Sequence, residues 1–257
     1  RRLLLNPLTE ADGHWQIDFD HLDACAAEGA KALLLCSPHN PVGRVWRRDE
    51  LEQILAIARR YKLVIFSDEI HADLIYPGER HLPLATLAQP GDRIVTAMAP
   101  SKTFNLPGLG LSYLISSDPI LRDELRRVLA GLHVGNSNPF SLAAAEAAYR
   151  EGGDWLDQRM GYLRDTQTAV TELLTAELPQ IRVAKTEGTY LLWLDCRGLG
   201  LSDVDLHRFF IDDARLGLSA GTVFGRGGSG FMRLNIGAPR MEILAGMRQL
   251  VTAWRMR

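Results

Sequence analysis

The feature that most restricts this chain is a pattern repeated through its first 116 residues: a short, unbroken apolar run followed by a polar loop rich in breakers. Runs at Lys31 to Cys36, Leu63 to Phe66, Arg93 to Met98 and Leu111 to Ile115 have the length of strands. Between the first two, residues 47 to 61 place Leu51, Ile54, Leu55 and Ala58 at helical spacing. Strands and helices alternating at such short intervals predict βαβ units and a mostly parallel α/β sheet flanked by helices. Unbroken rather than alternating apolar runs predict strands buried on both faces. Leu3-Leu4-Leu5 reads as a further strand already belonging to the sheet, so the chain reads as a piece of a longer protein.

Beyond this region helices dominate to about residue 178. Asp118-Pro119 predicts a helix start, an acceptor at the N-cap followed by a residue whose missing N–H costs nothing in the first turn. Strands are expected at Ile181 to Ala184, Tyr190 to Asp195 and Phe231 to Ile236. Helices are expected from near Ser202, with Asp205 as a capping partner, and over Met241 to Arg255. We place a boundary near residue 153: residues 1–153 form part of a large α/β domain, and 154–257 a linking helix and a smaller α+β domain. The balance of 29 basic and 31 acidic residues gives no reason to expect nucleic acid as a partner. No apolar run is long enough for a membrane helix, and a cytoplasmic address is the default expectation. Cys25, Cys36 and Cys196 lack the spacing of a zinc site or disulfide framework, so they are expected to be reduced and buried, with no metal.

Parallel sheets bind ligands beyond the carboxyl ends of their strands, and that is where the chemically able side chains fall. Asn40 follows the first run in Ser37-Pro38-His39-Asn40-Pro41-Val42-Gly43, Asp68 the second in Ser67-Asp68-Glu69-Ile70-His71, and Lys102 the third in Ser101-Lys102-Thr103-Phe104-Asn105. A carboxylate ending a buried strand needs a positive partner, a helix cap, a structural salt bridge or a cationic ligand. Arg233, in Phe231-Met232-Arg233-Leu234-Asn235, points opposite to Met232 and Leu234. Its guanidinium fork suits a substrate carboxylate, with a surface ion pair as the plainer use. Gly225-Arg226-Gly227-Gly228-Ser229-Gly230 has the G-x-G-x-x-G form, but a strand rather than a helix follows it. It reads as a flexible loop ahead of Arg233, not as a nicotinamide site.

Taken together, these three strand-end motifs resemble those of the cystathionine β-lyase, or C-S lyase, branch of the pyridoxal phosphate-dependent aminotransferases of class I/II. The resemblance implies aminotransferase fold type I, with pyridoxal 5'-phosphate as cofactor. It makes Lys102 the residue that carries the cofactor covalently and then acts as base, and Asp68 the partner of the ring nitrogen. By the same resemblance Asn40 donates to the phenolic oxygen, His71 stands where many relatives have a tyrosine at that oxygen, Ser101 is a phosphate ligand and Arg233 holds the substrate carboxylate. His71 is equally readable as a structural residue. The implied reaction is α,β-elimination from cystathionine or a related sulfur amino acid, in a homodimer. An aminotransferase and a non-catalytic module of the same fold are the alternatives. Many aminotransferases have an arginine eight residues after the lysine, where this chain has Gly110, which favours the lyase branch. The family's glycine-rich phosphate loop and stacking aromatic are not visible in the sequence, so weak or absent cofactor binding is expected of the chain as given.

Overall fold

A computed structural model of the chain describes residues 2–11, 13–134 and 138–257. The elements in the first half are β1 (Leu8–Ala11), β2 (His14–Ile17), α1 (Phe19–Ala27), β3 (Ala32–Cys36), α2 (Arg48–Tyr61), β4 (Val64–Asp68), β5 (Arg93–Met98), α3 (Pro100–Thr103), β6 (Tyr113–Ile115) and α4 (Pro119–Gly131). They continue with α5 (Pro139–Glu151), α6 (Gly153–Glu177), β7 (Arg182–Val183), β8 (Leu191–Asp195), α7 (Asp203–Arg208), β9 (Ser219–Ala220), β10 (Phe231–Asn235) and α8 (Arg240–Arg255). The chain forms two compact units. The first comprises Arg1–Pro7, Ile17–His39 and Val45–Gln158, and the second Leu8–Gln16, Asn40–Arg44 and Arg159–Arg257. A single cut at residue 153 therefore differs from what is observed: α6 changes unit between Gln158 and Arg159, and two short early segments group with the C-terminal part.

The first unit carries a four-stranded sheet in the order β3-β4-β5-β6, parallel except for β6. Helix α2 supplies much of its core through Leu51, Ile54, Leu55 and Ala58, all buried as their spacing predicts. Its start is fixed by the Glu50 carboxylate accepting from the Arg47 amide at 2.8 Å, and its end by Lys62 in the left-handed region, φ 56°. Asp118 caps α4 as expected, accepting from the amides of Ile120 and Leu121 at 2.9 and 3.2 Å.

Three expectations fail. Leu3, Leu4 and Leu5 form no strand, and Leu3 and Leu5 are exposed. The strands are not all buried on both faces: Leu34, in the middle of β3, is 73% exposed, and all of β6 is exposed. Among the described residues α2 contributes the core on one face, while the outer strands lack a covering layer on the other. Nor are all the cysteines buried. All three are free, but only Cys196 is buried, and burial pushes its thiol pKa up.

The second unit holds the antiparallel sheet β7-β8-β10-β9 and the β1-β2 hairpin. Trp15, Val42, Ala184, Trp193 and Phe231 form a buried cluster, with the rings of Trp193 and Phe231 stacked at 5.2 Å. The segment Asn40–Arg44 is fastened into this unit at two levels. Gly43 offers its carbonyl to the amides of Glu187 and Gly188 at 2.8 and 3.1 Å. Arg44, 0% exposed, donates from Nε to the Glu187 carboxylate at 2.9 Å and from Nη1 to the Trp15 carbonyl. Gly43 has φ 72°, and a Cβ there would lie 2.5 Å from Thr186 Cγ2, so only glycine fits.

Removing one partner of a buried ion pair strands the other charge. Glu187→Gln is therefore expected to lower unfolding free energy by about 3 kcal/mol or more, read as a fall in the urea midpoint. An unchanged midpoint would show that the pair contributes nothing to this packing.

Candidate active site

In the first unit the carboxyl ends of β4 and β5 present Asp68, His71, Ser101 and Lys102 from neighbouring loops. Asp68 is the last residue of β4, paired with Cys36 on β3 and Ala97 on β5. Its carbonyl accepts from the Ser37 amide at 2.9 Å, and its Oδ1 from the Ile70 amide at 3.3 Å. Although β4 is largely apolar, the Asp68 side chain at its end is exposed, while Glu69 beside it is 1% exposed. The period-two alternation of an extended chain separates the two acids onto opposite faces. His71, 3% exposed, lies in the turn that follows.

Lys102 stands on the one-turn helix α3, started by Pro100 and ended by a tight reversal. Asn105 takes φ 54°, and the Leu106 amide closes back onto the Ser101 carbonyl at 3.0 Å, the six-to-one bond of a Schellman cap. Asparagine tolerates that left-handed conformation, which explains its place in the motif. Thr103, 0% exposed, donates from Oγ1 to Asp73 Oδ2 at 2.9 Å, tying the loop after β5 to the loop after β4. Phe104 packs edge-on against Tyr149 at 5.3 Å and lies so close to Gly152 that a Cβ there would sit 2.7 Å from its ring. Ser101 and Lys102 remain half-buried, and among the described residues no hydrogen bond engages the Ser101 hydroxyl.

In the second unit Asn40 and Arg233 are brought into direct contact. Arg233 Nη1 donates to Asn40 Oδ1 at 3.0 Å, and Nη2 to the Ser219 hydroxyl at 3.2 Å. The guanidinium carbon lies 4.8 Å from the Phe224 ring centroid. Arg233 Nε is buried without a hydrogen-bond partner, and among the described residues no carboxylate pairs with this arginine. Burial pulls its guanidinium below the usual arginine range, opposed by the nearby Tyr190 hydroxyl. Tyr190 also lies 5.4 Å under the guanidinium of Arg159, whose pKa burial lowers in the same way. In place of a surface ion pair, Arg233 is a half-buried cation held by neutral groups. The glycine segment before it is not a loose loop. Asp203 accepts from the Ser229 hydroxyl and the Gly230 amide, both at 2.8 Å, and Gly221 and Gly228 meet backbone to backbone.

Several of these contributors were not foreseen: Thr103 with Asp73, Ser219, Tyr190 and Phe224. Each acts through a partner on another element or loop, for which the local pattern carries no signal. Thr103→Val removes a buried hydroxyl and leaves its carboxylate acceptor short of one donor. We expect a loss of about 1 to 3 kcal/mol in urea unfolding. Stability equal to the parent would show that this bond does not hold the lysine loop.

The family profile of the class I and II aminotransferases matches residues 7–249. The chain is 38% identical over 255 residues to cystathionine beta-lyase PatB of Bacillus subtilis (strain 168), covering 98% of this chain and 66% of PatB. It is 36% identical over 249 residues to the protein MalY of Escherichia coli (strain K12), covering 96% and 63%. The crystal structure of cystalysin from Treponema denticola, which contains a pyridoxal 5'-phosphate cofactor, superposes with a TM-score of 0.93 at 37% identity, covering 100% of this chain and 66% of that one. The chain spans about two thirds of the length of these relatives. With the profile covering nearly all of its residues, the chain belongs to the aminotransferase class I and II family and has that family's α/β fold.

Proposed function

We propose that this chain contributes the lysine-bearing half and the carboxylate-binding arginine of a pyridoxal phosphate-dependent carbon–sulfur lyase, which cleaves cystathionine or a related sulfur amino acid by α,β-elimination. The observation that carries the proposal is Arg233, a half-buried cation with no carboxylate partner among the described residues and a buried, unpartnered Nε. Such an arginine is suited to an anion supplied from outside the fold.

The residues of the first unit fit the cofactor by their chemistry. Lys102 supplies an amine for its aldehyde, Ser101 a hydroxyl for its phosphate, His71 a group for its phenolic oxygen, and Asp68 an exposed carboxylate for its protonated ring nitrogen. Asn40 uses its oxygen on Arg233, which leaves its Nδ2 donors for the phenolic oxygen. When bound, pyridoxal phosphate supplies an electron sink conjugated to the substrate Cα. The chain's own residues do the rest. Arg233 grips the α-carboxylate and so sets the orientation of the Cα–H bond, Lys102 takes the Cα proton, and Asp68 keeps the ring nitrogen protonated. Departure of the Cβ thiolate completes the elimination, and hydrolysis yields pyruvate and ammonia. A homodimer and a cytoplasmic address belong to the same proposal. No described helix is long and apolar enough to cross a membrane.

Aminotransfer needs the same proton abstraction, so the assay must separate the two. The full-length protein is expected to release pyruvate and thiol from cystathionine without any keto acid. Strict dependence on a keto acid would replace the lyase with an aminotransferase. Arg233→Lys keeps the charge but loses the fork, and kcat/KM is expected to fall about ten- to a hundredfold, with kcat as well as KM affected. A fall of less than twofold would remove Arg233 from the substrate.

A further inference from the structure

β4 ends at Asp68 and a second carboxylate, Glu69, follows it directly; the proposed chemistry uses only Asp68. Glu69 is held by three donors from different places: Ser67 Oγ at 2.8 Å on the same strand face, His81 Nε2 at 2.8 Å, and the Leu84 amide at 3.2 Å where a 3-10 turn begins. His81, its side chain 7% exposed, closes over this carboxylate from the loop that follows. Ser67 and Glu69 thus pin one face of the strand end, and Asp68 between them must point to the other. The backbone is fastened on both sides as well: the Asp68 carbonyl accepts from the Ser37 amide, and the Glu69 amide donates to the Ala97 carbonyl, each at 2.9 Å. With residues 67 and 69 fixed by side chain and main chain, the backbone at 68 is held from both sides, and the Asp68 carboxylate accepts from the Ile70 amide at 3.3 Å.

We propose that His81, acting through its hydrogen bond to Glu69, is a positioning residue for Asp68, fixing the direction in which that carboxylate meets a cationic ring N–H. The proposal rests on the pyridoxal phosphate assignment above and adds to it a side chain thirteen residues away, near the far end of the loop that follows β4. Its alternative is that the bond merely staples the loop 70–84 to the sheet.

The test compares His81→Leu, His81→Gln and Asp68→Asn in the full-length protein. For each, pyridoxal phosphate affinity and the visible absorption of the bound cofactor are measured, together with hydrogen exchange of the Glu69 and Ile70 amides in the cofactor-free protein. His81→Leu is expected to weaken cofactor binding about tenfold or more, to shift the absorption maximum and to speed exchange at both amides. His81→Gln, which restores a donor toward Glu69, should stay within about threefold and keep the parental spectrum. If leucine at 81 prevents folding, Glu69→Gln carries the same expectation as His81→Leu. A lower urea midpoint with parental affinity, spectrum and amide exchange in His81→Leu would overturn the positioning role and leave a staple, provided Asp68→Asn is impaired. Parental affinity and spectrum in Asp68→Asn would overturn the cofactor assignment at Asp68, and the His81 proposal with it.

Discussion

The level ending of three parallel strands is the constraint on which the first unit depends. Cys36 pairs with Asp68, and Asp68 with Ala97, so β3, β4 and β5 end within one residue of one another and their following loops leave from one edge. Parallel pairing requires a crossover between strands, which is why Asp68 and Lys102, far apart in sequence, arise from neighbouring loops. The loops are then fixed by polar bonds rather than by apolar packing alone. Thr103 reaches Asp73, the Ser37 amide reaches the Asp68 carbonyl, and the Schellman cap at Asn105 turns the chain immediately after Lys102. Removing slack in this way is how a loop can hold reactive groups within the tolerances that catalysis demands.

The second unit solves a different problem, that of holding a cation where little neutralises it. Arg233 sits in the middle of β10, between Trp193 on β8 and Ser219 on β9, and is engaged by an amide oxygen, a hydroxyl and an aromatic face. Neutral partners position the guanidinium without cancelling its charge. Asn40 reaches it because Gly43 and Arg44 tie their segment to the loop around Glu187. A buried ion pair of this kind is weak evidence for net stability. Its value here is geometric, since it fixes the turn that carries Asn40.

What could be read in the sequence was local or periodic. The caps at Asp118 and Ser202, the helix over residues 48 to 61 and the strand ends before Asp68 and Lys102 are each specified by a few adjacent residues, and the structure has them. The residue types in the three motifs were enough to point to the family. Burial was less legible, because an apolar run such as Leu33-Leu34-Leu35 is the same whether or not a layer covers its second face, and Leu34 is exposed. Leu3 to Leu5 show that three apolar residues without a pairing partner make no strand. The short strands β1, β2 and β9 carry too few residues for a periodic signal. Arg44 with Glu187, Thr103 with Asp73 and His81 with Glu69 were invisible because each pair is made by tertiary contact, and a charged or polar residue in a loop looks solvated until its partner is known. An apolar strand with two adjacent acids at its end does not say which of them is buried; alternation exposes Asp68 and buries Glu69.

The central claim is covalent chemistry at Lys102, one of four lysines in the chain. Incubating the full-length protein with pyridoxal phosphate, reducing with borohydride and mapping the peptides tests it most directly. The account predicts the reduced cofactor on the peptide containing Ser101-Lys102-Thr103 and on no other. Stoichiometric labelling at Lys31, Lys62 or Lys185 with Lys102 unmodified would contradict it.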